Sequence, residues 1–167
     1  MGMLDISFTL SGFDEITAAF EELGDLALDV AAEIVETSQD ELETLAKENA
    51  RVDTGDLREK IISMPIYSDR GVVYGNVLSA APHGAYIEFG TGPKGAQNHS
   101  GTDPEAQSRV RYRSTPWLFP RKDGTFRYTH GQPAKPYMYP ALVVVKGKLR
   151  DWTAQTLKRK LGDKYGR

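Results

Sequence analysis

The pattern of apolar positions in the first fifty residues predicts one long amphipathic helix. It follows LDISFTL (4 to 10), which alternates apolar and polar residues as a half-buried strand does, and Ser11 and Asp14 have the spacing of a capping box. Apolar residues then recur at three- and four-residue steps as far as Leu45, which gives a stripe on the order of 55 Å long. We expect a bend or break at Gly24. So long a helix predicts that part of its stripe packs on the sheet and part on another subunit.

Shorter alternating runs in the middle of the chain predict two β-hairpins. Asp69-Arg70-Gly71 separates the strands of the first, and the Asp123-Gly124 pair of the second suits a tight turn. Between the hairpins, residues 93 to 114 are rich in Gly, Gln, Asn, Ser and charge, which predicts a long mobile loop. The four strand segments are SMPIYS (63 to 68), VVYGNVLS (72 to 79), WLFP (117 to 120) and TFRYT (125 to 129).

The last segment predicts a C-terminal helix that starts in QPAKPYMYPAL and runs to about Leu161. Pro140 suits its first turn, where a missing N–H removes no hydrogen bond, and Gly162 can close it. Together these elements predict an α+β fold, with a long N-terminal helix and a C-terminal helix packed on a small antiparallel sheet with two hairpins. The length predicts a single domain spanning residues 1 to 167.

Charge is distributed unevenly along the chain, although the formal net charge is only −2. Residues 1 to 50 hold thirteen acidic residues and one lysine, whereas residues 146 to 167 hold eight basic and two acidic ones. A solvated acidic helix face and a basic tail would explain this gradient. Complementarity between copies, with the acidic region of one subunit against the basic region of the next in a ring, would explain it as well.

The segment VDTG (52 to 55) has two interpretations. Asp-Thr-Gly is the triplet that carries the catalytic carboxylate of aspartic proteases, and a chain with one triplet would need a homodimer to supply the second carboxylate. In such proteases a buried apolar strand precedes the triplet, whereas ETLAKENARV precedes it here. This helical context favours a structural role, in which Asp53 or Thr54 caps the helical turn LREKII and Gly55 adopts backbone angles denied to other residues.

Two further patterns lack the context that their chemistry needs. The glycines of GTGPKG (90 to 95) have the spacing of a dinucleotide fingerprint with YIEF as a candidate strand, but Pro93 and the polar residues after it predict no helix. The chain has no cysteine, and His83, His99 and His130 are too scattered for a ligand set. We therefore expect no cofactor and no metal. No apolar run approaches the roughly 20 residues of a membrane span, which predicts a soluble, cytosolic protein.

Three arginines are candidates for contact with a partner. Arg109, Arg111 and Arg113 alternate with Val110 and Tyr112, which in a strand would place three guanidinium groups on one face. Such a stripe can be an ordinary solvated strand edge, or it can meet phosphates beside an aromatic side chain. The sequence leaves both interpretations open.

Glu88 is the charged residue most at risk of burial, because it lies between Ile87 and Phe89. A buried carboxylate needs a partner, and Arg58 or Arg51 is the partner that we expect. An exposed Glu88 is the alternative.

Three motifs occur in a fixed order along the chain. They are VDTGDLREKI (52 to 61), AYIEFGTG (85 to 92), and WLFP followed by TFRYTHGQPAKPYMYPAL (125 to 142). In this combination the chain resembles the family of small head-to-tail joining proteins of long-tailed bacteriophages, also labelled tail-component or tail-completion proteins. The matching residues are Asp53, Thr54, Gly55, Leu57 and Arg58, then Tyr86, Glu88, Phe89, Gly90, Thr91 and Gly92, then Gln132, Pro133, Pro136, Met138, Pro140 and Ala141.

The resemblance implies a non-enzymatic α+β virion subunit whose motif residues are architectural. It implies a hexameric or dodecameric ring at the head-tail junction, in contact with other neck and tail proteins, with a channel for DNA. Arg109, Arg111 and Arg113 would face either that DNA, without sequence specificity, or a neighbouring protein. We expect assembly in the host bacterial cytoplasm and no membrane partner. A tail terminator that caps the tail tube is one alternative, and a homodimeric aspartic protease acting through Asp53 is another.

Overall fold

A computed structural model gives the fold of most of the chain. The predicted capping box at Ser11 and the stripe positions before Gly24 lie outside the described residues, as do Thr54 and Lys122. Within the described chain, helices and small antiparallel sheets combine as predicted, which confirms the α+β fold class. The described ranges are 6 to 9, 24 to 53, 55 to 121 and 123 to 165.

Helix α1 (Asp25–Asn49) is the described part of the predicted long helix. It begins directly after Gly24, whose φ of 55° lies outside the helical region, so α1 starts at the position where the sequence predicts a bend or break. The predicted stripe is confirmed from this point onward, because side chains at three- and four-residue steps are buried. The buried stripe consists of Leu26, Val30, Ile34, Ser38, Leu42 and Ala46.

Three short antiparallel strands form the largest sheet, with β5 (Asn76–Ser79) at its centre. Strand β1 (Ile6–Thr9) pairs with one edge of β5 and β2 (Ile61–Ser63) with the other. Gln39 ties α1 to this sheet, because its buried amide donates two hydrogen bonds of 2.9 Å to carbonyl oxygens just after β2 and at the start of β5. The sheet is therefore held on α1 by polar contacts as well as by apolar packing.

Both predicted hairpins are confirmed. In the first, β3 (Tyr67–Asp69) pairs with β4 (Val72–Tyr74) across an Arg-Gly turn whose φ angles are both positive, 49° and 81°. Positive angles at both turn residues match the twist of a two-residue hairpin. In the second, β6 (Trp117–Pro120) pairs with β7 (Phe126–Thr129).

Short helices occupy two regions in which the sequence predicts none. Helix α2 (Asp56–Glu59) is the predicted helical turn, but α3 (Gly84–Phe89) contains YIEF, so the interpretation of YIEF as a strand is wrong. Helices α4 (Gly92–Gln97) and α5 (Pro104–Arg109) lie in the predicted loop, which is therefore not irregular throughout. Each has a proline in its first turn, where the missing N–H removes no hydrogen bond. The mobility of residues 93 to 114 stays a prediction.

Helix α6 (Met138–Tyr165) is the predicted C-terminal helix. Pro140 lies in its first turn, as predicted. The helix continues through Gly162, so the predicted end at this glycine is wrong. A glycine in a helix costs about 1 kcal/mol relative to alanine, which is too little to stop a helix of 28 residues.

The two long helices pack on each other and join the acidic and basic parts of the chain. Buried apolar side chains of α1, α6 and β5 form one core. At the surface, Lys148 Nζ lies 2.5 Å from Glu41 Oε1, and Arg159 and Lys160 both contact Glu33. The charge complementarity that the sequence suggests between copies therefore operates in part within one chain.

Candidate functional site

A buried carboxylate connects the second and third sequence motifs. Glu88 in α3 has no exposed surface, and its side chain reaches the start of α6. Oε2 accepts hydrogen bonds from the backbone N–H of Tyr137 at 2.7 Å and of Met138 at 3.1 Å, and Oε1 accepts one from Tyr139 at 3.0 Å. The first N–H groups of a helix have no partner within that helix, so Glu88 caps α6 from a distant part of the chain.

The predicted burial of Glu88 is confirmed, whereas its predicted arginine partner is wrong. Arg58 instead donates to the carbonyl oxygen of Ala50 at 3.3 Å. Burial raises the pKa of the Glu88 carboxyl above its ordinary value of 4.5, and the charge of Asp103 adds to the rise, while the three backbone N–H groups act in the opposite direction. The helix start supplies both the donors and a partial positive charge, so no cation is needed.

The loop after Glu88 is joined to the segment that leads into α6. Thr91 and Gln132 exchange two backbone hydrogen bonds, of 2.9 Å and 3.1 Å. Gly90 has φ 76° and ψ −178°, a region open essentially to glycine. A Cβ added there would lie 2.6 Å from the backbone nitrogen of Ala134. The EFGTG and HGQPAKP segments therefore pack backbone against backbone.

Tyr137 links this packing to the first motif. Its buried hydroxyl shares a hydrogen bond of 2.7 Å with the hydroxyl of Ser79, and burial raises the pKa of Tyr137 to about 12. A Cβ added at Gly84 would lie 2.7 Å from the Tyr137 hydroxyl oxygen and 3.6 Å from Cδ1 of Leu57, which is itself buried. Residues from all three motifs thus meet in one place. We call this place the motif junction; it consists of Leu57, Ser79, Gly84, Glu88, Gly90, Thr91, Gln132 and Tyr137.

Asp53 does not occupy the position that the sequence suggests. Gly55 stands at the N-cap of α2 with a φ of 88°, and no side chain among the described residues caps this helix. Thr54, the other predicted cap, lies outside the described residues. The special backbone angles predicted for Gly55 are confirmed, and the capping role of Asp53 is wrong. Asp53 is exposed, and a helix end precedes it. The buried apolar strand that an aspartic protease places before its triplet is therefore not found here.

An open groove of about 1340 Å³ lies beside the motif junction. Four arginines and five aromatic residues line it, and Asp53 is the one acidic residue among its described lining residues. We call it the arginine groove. Its arginines are Arg109, Arg111, Arg113 and Arg127, and its aromatic residues are Tyr86, Phe89, Tyr112, Trp117 and Phe119.

Residues 109 to 113 do not form the strand in which their alternation would place three guanidinium groups on one face. Arg109 ends α5, and Arg111 and Arg113 lie in irregular chain. The hydroxyl of Tyr112 donates to the carbonyl oxygen of Phe89 at 2.7 Å, which fixes this segment against the motif junction. The three arginines nevertheless line one groove, so the prediction that they share a surface holds without the strand.

The arginines of the groove differ in their contacts. Arg109 is paired with Glu105 one helical turn before it. The guanidinium of Arg113 lies 5.6 Å from the centre of the Trp117 ring, a cation-π contact that leaves its charge in place. Among the described residues, Arg111 and Arg127 form no ion pair.

The β6–β7 hairpin is one wall of the groove. Its register sets Trp117 opposite Thr129 and Phe119 opposite Arg127, and these four side chains face the groove. The alternate residues form the opposite face of the hairpin, which we call the outer hairpin face. Sequence reasoning missed Arg127, although the period-two alternation of the hairpin contained the signal. The outer hairpin face consists of Leu118, Pro120, Phe126 and Tyr128, all exposed.

The described residues contain neither a metal-binding cluster nor a membrane-spanning helix. No three His, Asp or Glu residues among them are placed to hold a metal ion. No described helix is both long and apolar enough to cross a membrane.

The model of one family, described as "HK97-gp10_like: Bacteriophage HK97-gp10, putative tail-component", matches residues 14 to 90. This range ends at Gly90 of the motif junction and contains the first motif and most of the second. The match confirms the resemblance to phage tail-component proteins that the sequence motifs predict. No curated protein and no solved structure matches the chain.

Proposed function

We propose that the protein is a structural subunit of the phage neck or tail end that assembles into a ring. The ring connects the capsid portal complex to the tail and leaves a channel for DNA. The family match over residues 14 to 90 carries this proposal, because that family is described as a tail component. The protein then acts in the virion, after assembly with other neck and tail proteins in the host cytoplasm.

Two exposed surfaces support a role in assembly. The outer hairpin face leaves 53% of Leu118, 66% of Phe126 and 73% of Tyr128 accessible to water. A grouped apolar surface of this kind is typical of a protein contact. The arginine groove is the second surface, and its charge suits an acidic partner.

The motif junction supports an architectural role for the motif residues. Both carboxylate oxygens of Glu88 accept from backbone N–H groups, and the hydroxyl of Tyr137 is paired with Ser79. These buried polar groups hold α6 against the rest of the chain. The packing of α6 on α1 also supports a single domain over residues 1 to 167.

Electron microscopy of the purified protein, alone and mixed with portal and tail-tube proteins, tests the proposal. We expect rings, formed either alone or on one of these partners. A strict monomer that binds neither partner would contradict it. Rings that bind tail tubes and not portal complexes would assign the tail-terminator role instead.

A further inference from the structure

We propose that the arginine groove of one copy receives an acidic stripe on helix α1 of the next copy. The stripe consists of Asp29, Glu36 and Asp40. This inference rests on the proposed ring and names the two surfaces that join its subunits.

The stripe lies on the face of α1 that points away from the core. Asp29, Glu33, Glu36 and Asp40 follow one another at four-, three- and four-residue steps, which places them along one side of a helix. Glu33 is engaged by Arg159 and Lys160 of its own chain. The other three are exposed and form no ion pair among the described residues.

The groove offers a matching set of positive charges. Arg109 is already paired with Glu105, which leaves Arg111, Arg113 and Arg127 for a partner. Within the chain, basic residues of α6 form ion pairs with some of the acidic residues of α1. The groove and the stripe have opposite charges and are not paired with each other in this way. Such surfaces attract each other and fix the orientation of a contact.

The two surfaces belong to different elements of the chain. Of the described residues that line the groove, none comes from α1. A contact between two different surfaces of identical copies leaves one surface of each kind free on every pair, so the contact can repeat until a ring closes. Groove and stripe therefore form the head-to-tail contact that a ring of one protein requires.

A protein partner fits the groove better than DNA does. Five aromatic residues line the groove, together with Ala85, Ile87, Ala106 and Val110, and phosphates would leave this apolar surface uncovered.

Charge reversal tests the contact. The double variants Arg111→Glu with Arg127→Glu, and Glu36→Lys with Asp40→Lys, should each raise the protein concentration needed for ring assembly at least about tenfold, since like charges would then face each other. Combining all four substitutions in one chain should restore assembly, because every contact then has both signs exchanged. The matched control is Arg150→Glu with Asp151→Lys, two exposed positions of α6 outside the groove and the stripe.

The outcomes separate this inference from the proposed function. Assembly of both double variants at the wild-type concentration, measured by analytical ultracentrifugation, would overturn the inference and leave the ring proposal standing. A wild-type chain that forms no ring, alone or with partners, would end both. If the groove variant keeps its rings but loses binding to a labelled DNA duplex in fluorescence anisotropy, the groove contacts DNA and the inference fails. The stripe variant, Glu36→Lys with Asp40→Lys, tests the contact between copies without altering any residue of the groove.

Discussion

The motif junction and the arginine groove lie side by side, but the main charged group of the junction is buried and hydrogen-bonded, whereas those of the groove are exposed. In the junction, Glu88 is fully buried and the start of α6 satisfies it. In the groove, Arg111 and Arg127 are exposed and form no ion pair among the described residues. The buried residues of the motifs hold the fold together. The exposed residues best placed to meet a partner include Arg111 and Arg113, outside the motifs, and the β6–β7 hairpin, inside the third motif.

Glu88→Ala should cause the largest loss of stability among the variants that test this contrast. It would leave two buried backbone N–H groups and one partly buried one without an acceptor, and each buried group costs about 1–3 kcal/mol. We expect a loss of about 3 kcal/mol or more in the free energy of unfolding, measured with urea. Glu36→Ala, at an exposed position of α1, is the control and should change stability by less than about 0.5 kcal/mol. A loss below about 1 kcal/mol in Glu88→Ala would mean that the cap is unimportant.

Gly90→Ala tests the backbone packing of the junction. The strained angles alone cost about 1–3 kcal/mol for a residue with a side chain, and the added Cβ would also meet the backbone of Ala134. Gly147→Ala is the matched control, because Gly147 lies in helix α6 and a Cβ added there would meet nothing within 4 Å. That variant should gain about 0.5–1 kcal/mol. Thermal unfolding of the pair should shift the midpoints in opposite directions, and a shared direction would contradict the assignment.

Tyr137→Phe should have a smaller effect than either junction variant above. It removes one hydroxyl and leaves the buried hydroxyl of Ser79 without its partner, for a loss of about 1–2 kcal/mol. The double variant Tyr137→Phe with Ser79→Ala should recover part of this loss, because both polar partners are then gone. Urea unfolding of the two single variants and the double variant measures the coupling, and purely additive losses would show that the bond contributes little.

The titration of Glu88 sharpens the contrast without removing the side chain. Its pKa is raised by burial in the folded chain, so its contribution to stability is fully present below about pH 4.5 and lost as the pH rises through the raised pKa. Glu88→Gln exchanges no proton there. The stability difference between wild type and Glu88→Gln should therefore favour wild type more at about pH 4 than at about pH 7.

The pKa values of Glu33 and Glu43 are lowered, so these two residues make stability change with pH in the direction opposite to Glu88. Their contributions are the same in wild type and in Glu88→Gln, so they cancel in the difference between the two proteins. For Glu33, hydrogen bonding to Arg159 is the largest cause. For Glu43, desolvation is the largest single influence and acts upward, but hydrogen bonds from Lys47 and Ser63 outweigh it. An equal stability difference at both pH values would contradict a raised pKa at Glu88.

The smallest effect on stability should come from the groove. Arg111→Ala removes an exposed side chain with no ion pair among the described residues, so we expect a change within about 0.5 kcal/mol. A large loss in urea unfolding would place Arg111 among the residues that hold the fold, and the contrast between the two regions would disappear.

The sequence predicts correctly the elements whose apolar pattern repeats several times, and it misassigns the short elements. The stripe of α1 and the alternation of both hairpins repeat often enough to be interpreted correctly. YIEF is four residues long, and so short an apolar run fits a strand or a helix equally well. The segment from Arg109 to Arg113 alternates like a strand but has no partner strand within the described chain.

Two features of the site are invisible in any list of side chains. The partner of Glu88 is the backbone at the start of α6, and a main-chain N–H leaves no trace in the sequence. Arg127 joins the other arginines only through the register of the β6–β7 hairpin, which sets it opposite Phe119. The hairpin alternation indicates the face on which Arg127 lies, but only the fold shows that this face meets the segment from Arg109 to Arg113. The partner of Glu88 could be found only from the fold.

Glu88 holds the start of helix α6, so this end would be the pivot of any tilt of the helix. From Met138 to Lys160 the helix extends about 33 Å at 1.5 Å per residue, so a tilt of about 5° at the pivot would displace the far end by about 3 Å. Such a displacement would separate Arg159 and Lys160 from Glu33. Glu88 at the start of α6 and the ion pairs of Glu33 near its end therefore help to fix how the two long helices lie on each other.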